Sequence, residues 1–158
     1  MTIKKIYKKR HFYFPKVKSF SANIDNTCIV SVVNDSFVKY YIIFVKSIID
    51  HNPNFNFNWI IFHGKREGNC LSKESMHLMK KAYKNIIFKQ INEDRYMKFQ
   101  SQVPANLFAA LFKFELFLLK GYSKVLCLDV DTLCMGDLSY LFDKDFTLAV
   151  SLGGGNYK

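Results

Sequence analysis

The chain has 158 residues, of which 49% are hydrophobic, and it carries a formal net charge of +10. That length and apolar content exclude a disordered chain and favour one domain with a hydrophobic core. The basic excess lies in one segment, because Met1 to Phe20 hold seven Lys or Arg and no acid, whereas the rest of the chain holds 16 bases against all 13 acids. We therefore expect a basic leader over residues 1–20 and a single domain over residues 21–158.

The basic leader interleaves its charges with aromatic side chains. Contact with an anionic membrane surface or with nucleic acid is one interpretation of this composition. A solvated leader without a partner is the other, and it is the commoner role of base-rich arms. The residues concerned are Lys4, Lys5, Lys8, Lys9, Arg10, Lys16 and Lys18, with Tyr7, Phe12, Tyr13 and Phe14.

No uninterrupted apolar segment is long enough to span a bilayer, since the most apolar region, Val103 to Leu119, contains Asn106, Lys113 and Glu115. The first twenty residues contain no signal-peptide core. These patterns predict a soluble, cytoplasmic protein. The four cysteines form no C-x-x-C pair, so we expect reduced thiols rather than disulfides or a metal site. They are Cys28, Cys70, Cys127 and Cys134.

Apolar runs of strand length alternate with segments of helical periodicity. Strands are predicted at Cys28 to Val33, Phe57 to His63, Asn85 to Ile91, Val125 to Leu128 and Phe146 to Leu152. Helices are predicted at Phe37 to Asp50, Leu71 to Tyr83 and Pro104 to Lys120. Asp35 or Ser36 can cap the first helix, and Gly121 is a usual residue after the end of the third. The alternation is typical of a mostly parallel sheet with helices on both faces.

Two carboxylates, Asp129 and Asp131, follow the strand Val125 to Leu128. Side chains two residues apart in an extended chain point the same way, and open α/β sheets bind ligands at the carboxyl ends of their strands. Two close like charges repel unless a cation or a shared proton lies between them. The pattern therefore favours a divalent metal at this strand end.

Lys113 is one of only two charges between Leu107 and Leu119. A helix that is apolar on nearly every side is expected to be buried, and a buried Lys needs an anionic partner or its pKa falls. The alternative is a Lys that extends to the surface along its apolar stem. The residues alone leave both interpretations open.

The string from Tyr122 to Phe142 resembles a known motif. Asp-x-Asp after a hydrophobic strand, then Thr-Leu, Gly-Asp-Leu and Leu-Phe, is similar to the metal and nucleotide-sugar motif of family 8 glycosyltransferases, the group of glycogenin and the bacterial galactosyltransferases. Asn34-Asp35-Ser36-Phe37 resembles the family's Asn-Asp-x-Tyr, which holds the uridine, with Phe37 in place of Tyr. Stacking on a base requires only the ring face. The resemblance covers roughly Thr27 to Gly153.

The resemblance implies a GT-A fold, which is a Rossmann-like α/β sandwich, represented here by its donor-binding portion. It also implies retaining transfer of a hexose from a UDP-sugar to a sugar, lipid-linked glycan or protein acceptor, with Mn²⁺ or Mg²⁺ bound by Asp129 and Asp131. Lys113, sixteen residues before Asp129, corresponds to a basic residue that contacts the donor. The catalytic residues implied are Lys113, Asp129 and Asp131, and the donor-binding residues are Asn34, Asp35, Phe37, Lys113, Asp129, Val130 and Asp131.

Two motifs of the family are missing before Lys158. One is His-x-x-Gly-x-Lys-Pro-Trp, whose His is the third protein ligand of the metal, and the other is an Asn-x-Gly segment that shapes the sugar pocket. We therefore expect these 158 residues to turn over donor weakly or not at all, unless a second copy in a homo-oligomer supplies the missing wall.

Two other classes remain as alternatives. A haloacid-dehalogenase-type phosphatase also places Asp-x-Asp after a hydrophobic strand, but it has Thr or Val where this chain has Leu133, and the 27 residues after Asp131 are too few for its downstream motifs. A non-catalytic binding module that uses the basic leader is the other alternative, and salt-dependent nucleic-acid binding would identify it.

Overall fold

The computed structural model describes residues 26–143. The basic leader and the strand predicted at Phe146 to Leu152 lie outside the described residues. The strands are β1 (Thr27–Val32), β2 (Asn58–His63), β3 (Ile86–Gln90) and β4 (Lys124–Cys127). The α-helices are α1 (Val38–His51), α2 (Lys73–Ala82) and α3 (Ser139–Asp143). A long 3₁₀ segment (Ala105–Leu118) precedes β4, and short 3₁₀ turns lie at Asp35–Phe37, Glu93–Arg95 and Met97–Phe99.

The four strands form one parallel sheet in the order β3-β2-β1-β4. β1 is central, and Val30 pairs with Ile60 of β2 on one side and with Cys127 of β4 on the other. Parallel strands that are covered on both faces are largely apolar, and β1 and β2 are largely apolar and almost entirely buried. The predicted parallel α/β sheet is confirmed.

Each face of the sheet carries its own apolar layer. On one face, α1, α2 and the segment after β4 pack around Trp59, whose ring centroid lies 5.1 Å from that of Tyr41. On the other face, the long 3₁₀ segment covers the sheet with Phe108 and Phe112. The prediction of helices on both faces is therefore correct, although the third helix is of the 3₁₀ type.

The helices at the three predicted places begin and end within one or two residues of the predicted bounds, but the predicted cap of α1 is wrong. Neither Asp35 nor Ser36 caps α1, because a 3₁₀ turn intervenes and α1 begins at Val38. The carboxylate of Asp35 instead accepts a hydrogen bond from the backbone N–H of Ser72. The expectation for Gly121 is correct, since this residue follows the 3₁₀ segment with φ +85°, a conformation that favours glycine.

All four cysteines lie within residues 26–143 and are free thiols. Among the described residues, no helix is both long enough and apolar enough to cross a bilayer.

Candidate functional site

The Asp-x-Asp motif follows β4 at the carboxyl edge of the sheet. The backbone N–H of Leu128 donates to the carbonyl of Val30 at 2.9 Å, and the Ser31 hydroxyl donates to the carbonyl of Leu128 at 2.7 Å. These bonds hold the end of β4 against β1. Beyond them Val130 is buried in the apolar layer, while Asp129 and Asp131 on either side of it are exposed. The burial of Val130 therefore leaves both carboxylates accessible to a ligand.

Lys113 lies against this motif. Its Nζ atom forms an ion pair with Oδ1 of Asp129, and the exposed fractions of the two side chains are 35% and 56%. Lys113 is thus partly buried and does have an anionic partner, which is the first acid of the motif. The pair brings the long 3₁₀ segment and the loop after β4 together at one point.

Glu115 anchors the segment that carries Lys113. Its buried carboxylate accepts hydrogen bonds from the Tyr96 hydroxyl at 3.0 Å and from the Arg95 guanidinium at 3.2 Å. Burial, and then the bond to Glu115, raise the pKa of Tyr96 to about 12, so its hydroxyl remains a donor at neutral pH. Sequence reasoning missed this network, although an acid in a strongly apolar segment was a usable signal.

The first motif, Asn34 to Phe37, follows β1 at the same edge. The Asn34 amide donates to the carbonyl of Gly68 at 2.6 Å, and its buried Oδ1 has no hydrogen-bond partner among the described residues. The Phe37 ring is 40% exposed, with its centroid 5.6 Å from that of Tyr40. This end of β1 therefore presents an open aromatic face beside a buried amide oxygen that is unpaired among the described residues.

Asp35 has a different environment from Asn34. Burial alone would raise the pKa of Asp35, but hydrogen bonds from the backbone and hydroxyl of Ser72 and from the Ser75 hydroxyl outweigh it and lower the pKa. Its Oδ1 atom lies 2.8 Å from the Ser72 nitrogen. The contacts of Asp35 therefore attach the end of β1 to the start of α2.

Asn34 and Asp35 both form hydrogen bonds with the loop between β2 and α2. The buried carboxylate of Glu93 holds this loop in place. Oε1 of Glu93 accepts from the backbone N–H groups of Lys65 and Arg66, the latter at 2.7 Å, and Oε2 accepts from the Asn69 amide at 3.1 Å. Gly64 is required beside it, since a Cβ atom there would overlap Oε1 of Glu93.

Glu93 also lines a polar pocket of about 340 Å³ at the ends of β2 and β3. Burial on its own would raise the pKa of Glu93, but the hydrogen bonds from Arg66, Lys65 and Asn69 outweigh it and lower the pKa. Glu93 is therefore an ionised anchor of the loop, and no sequence motif identified it.

The structure thus brings only some of the predicted residues into contact. Lys113 touches Asp129, whereas Asn34 and Asp35 bind the β2–α2 loop rather than either motif acid. Within residues 26–143, no three His, Cys, Asp or Glu side chains cluster as a metal site. Asp129 and Asp131 do supply hard carboxylate oxygens, which suit Mg²⁺ and Mn²⁺.

Comparison with solved structures of the galactosyltransferase LgtC supports the fold. The galactosyltransferase LgtC in complex with donor and acceptor sugar analogs matches with a TM-score of 0.61 and 20% identity, over 75% of this chain and 42% of that one. An active-site mutant of LgtC matches with a TM-score of 0.60, at the same identity and coverage. Core-mannan synthase A from Aspergillus fumigatus, in its Mn/GDP form, gives 0.48 and 15% identity over 67% of this chain and 35% of that one. The chain spans less than half the length of each of these proteins.

The matches to LgtC support the fold, whereas comparison of the sequence with protein families identifies the family. No curated protein matches the chain. Residues 28–153, however, match the model of glycosyl transferase family 8. This match covers most of the chain and excludes the haloacid-dehalogenase-type alternative. The protein belongs to glycosyl transferase family 8, and its parallel α/β sheet has the Rossmann-like GT-A fold.

Proposed function

We propose that the chain binds a UDP-sugar at the carboxyl edge of its sheet and takes part in transferring the hexose with retention of configuration. The observation that carries this proposal is the ion pair between Lys113 and the exposed Asp129, with Asp131 exposed beside it, in a chain of family 8. LgtC was solved with donor and acceptor sugar analogs, which supports a sugar donor for this chain as well.

The end of β1 is the proposed uridine site. Uracil has one ring N–H donor and two carbonyl acceptors. The unpaired Oδ1 of Asn34 is buried, so the amide would turn outward to accept that N–H. Phe37 offers an open ring face on which the base can stack. Asp35 supports this site indirectly, because its carboxylate is already engaged by Ser72.

The end of β4 is the proposed diphosphate site. Asp129 and Asp131 would hold Mn²⁺ or Mg²⁺, which when bound offsets negative charge on the UDP leaving group. Lys113 supplies a positive charge of the chain's own at the proposed diphosphate site, where its ammonium group pairs with Asp129. Val130 fixes the spacing of the two acids by its burial between them.

A calorimetric titration of UDP, with and without Mn²⁺, tests the proposal. We expect UDP to bind, and to bind more tightly when Mn²⁺ is present. Absence of UDP binding under both conditions would contradict it. A measurement of transfer to water or to an acceptor requires a panel of UDP-sugars, since no described residue specifies the sugar.

A further inference from the structure

The loop between β2 and α2 is attached to the end of β1 by three hydrogen bonds. The backbone N–H of Asp35 donates to the carbonyl of Cys70 at 3.1 Å, and the Asp35 carboxylate accepts from the backbone N–H of Ser72 at 2.8 Å. The Asn34 amide donates to the carbonyl of Gly68 at 2.6 Å. The course of the chain at the proposed uridine site therefore depends on the position of this loop.

The place of Phe37 depends on the same attachment. Its backbone N–H donates to the carbonyl of Asn34 at 3.0 Å, within the 3₁₀ turn that follows β1. The Phe37 ring is partly exposed, so packing holds it less firmly than a core side chain. The position of this ring is therefore set mainly by the backbone of the turn and, through Asn34 and Asp35, by the loop.

Glu93 holds another part of the same loop. Its buried carboxylate accepts hydrogen bonds from the backbone N–H groups of Lys65 and Arg66 and from the Asn69 amide. Hydrogen bonds to an ionised carboxylate are roughly twice as strong as those between neutral groups. All three donors belong to the loop and none to the motif at the end of β1. Among the described residues, Glu93 therefore reaches the uridine site through the loop and not by direct contact.

We propose that Glu93 is a positioning residue for the uridine site, where it holds Asn34, Asp35 and Phe37 in place through the loop. This role rests on the proposed function, because it requires that the end of β1 binds the base. A site whose side chains are ordered before the ligand arrives loses less entropy on binding. With a neutral residue in place of Glu93, the loop gains other arrangements, and binding must first select one of them.

The diphosphate site has separate supports. The backbone N–H of Leu128 donates to the carbonyl of Val30, and the Ser31 hydroxyl donates to the carbonyl of Leu128. Neither bond involves the loop between β2 and α2. A positioning role of Glu93 should therefore affect the uridine end of the ligand alone, whereas a general loss of structure would affect both ends.

Calorimetry of UDP with the full chain, in the presence and absence of Mn²⁺, tests this role. Glu93→Gln should weaken UDP binding by about tenfold, because the side chains at the end of β1 must then be ordered on binding. The factor should be the same with and without Mn²⁺, since the metal acts at the end of β4. Asp94→Asn is the matched control and should leave UDP affinity unchanged, because Asp94 is exposed and pairs with Arg66 of the same loop.

Amide hydrogen exchange in the free protein, followed by NMR, tests the loop without a ligand. In Glu93→Gln, the N–H groups of Asp35 and Ser72 should exchange about tenfold faster relative to the N–H of Leu128. Asn69→Ala removes one donor to Glu93 but keeps the carboxylate, so it should give a smaller change in the same direction. This second variant decides the matter if Glu93→Gln does not fold.

The outcomes separate this role from the proposed function. If the parent binds no UDP under either condition, the proposed function and the positioning role fail together. If the parent binds UDP and Glu93→Gln binds it equally well, the positioning role alone is overturned. It is also overturned if exchange at Asp35 and Ser72 is unaffected, or if the gain in UDP affinity from Mn²⁺ is lost as well, which would indicate a general loss of structure.

Discussion

The ammonium group of Lys113 and the carboxylate of Asp129 form an ion pair at the carboxyl edge of the sheet. Both side chains are partly exposed, and pairs of this kind contribute only about 0–1 kcal/mol to stability. The pair is therefore a weak contributor to the fold, yet it joins two layers of the molecule at the place where open α/β sheets bind ligands. The proposed role of the pair is therefore in binding, and the next prediction tests it.

Substitution of Lys113 by Met should weaken UDP binding while the melting temperature changes little. Hydrogen bonds to charged groups are worth roughly 1.5–3 kcal/mol, so the loss of affinity should be on the order of tenfold to a hundredfold. Calorimetry measures the affinity, and Lys120→Met is the control, since Lys120 is an exposed Lys beyond the end of the 3₁₀ segment. Unchanged UDP affinity in Lys113→Met would argue for a Lys that only neutralises Asp129.

Substitution of Asp131 by Asn should remove the part of UDP affinity that depends on Mn²⁺. A neutral amide offsets the charge of the cation less than a carboxylate does, and Asp131 is exposed, so the fold should be unaffected. Titrations of UDP with and without Mn²⁺ measure the effect. Asp50→Asn is the matched control, because Asp50 is an exposed acid near the end of α1. If Mn²⁺ strengthens UDP binding equally in Asp131→Asn and the parent, Asp131 is not a ligand.

Substitution of Phe37 by Ala should cost about 1–3 kcal/mol of nucleotide affinity if the ring stacks on uracil. The ring is partly exposed and precedes α1, so the melting temperature should fall only slightly. Tyr40→Ala removes a neighbouring exposed ring and serves as the control. A variant that binds UDP normally but melts much earlier would identify Phe37 as a packing residue instead.

Much of the fold was predictable because its signals are local. The strands are apolar runs of the right length, and α1 carries its buried side chains at helical spacing, as Tyr41, Phe44 and Ile48 show. The start of α1 was not predictable in the same way. Asp35 has the composition of a helix cap, but its carboxylate is used by Ser72, which lies 37 residues away in sequence.

In the candidate site, too, the residues with local signals were predictable and the long-range contacts were not. Asp129 and Asp131 were predicted as site residues from their spacing, and Lys113 from the family resemblance together with its charge in an apolar segment. The structure adds that Lys113 and Asp129 touch. The supporting contacts were missed because they join residues that are far apart along the chain. Glu115 meets Tyr96 across 19 positions, and Glu93 meets the backbone of Lys65 across 28.

The last prediction concerns Glu93 and acid stability. Its pKa is lower in the folded protein than the ordinary value of 4.5. The folded state therefore binds the proton less tightly than the unfolded state, and Glu93 contributes stability that is fully present above pH 4.5. This contribution is lost as the pH falls through the lowered pKa of the folded state.

Glu93→Gln should accordingly lower the free energy of unfolding by about 2 kcal/mol at neutral pH, because an amide cannot accept all the hydrogen bonds that the carboxylate receives from Lys65, Arg66 and Asn69. Denaturant unfolding at a series of pH values measures the difference, which should be constant near neutrality and shrink in acid. Asp94→Asn is the control, since Asp94 is an exposed acid paired with Arg66. A difference between parent and Glu93→Gln that stays the same down to the most acidic condition would mean that packing at Gly64, rather than the charge of Glu93, holds the loop.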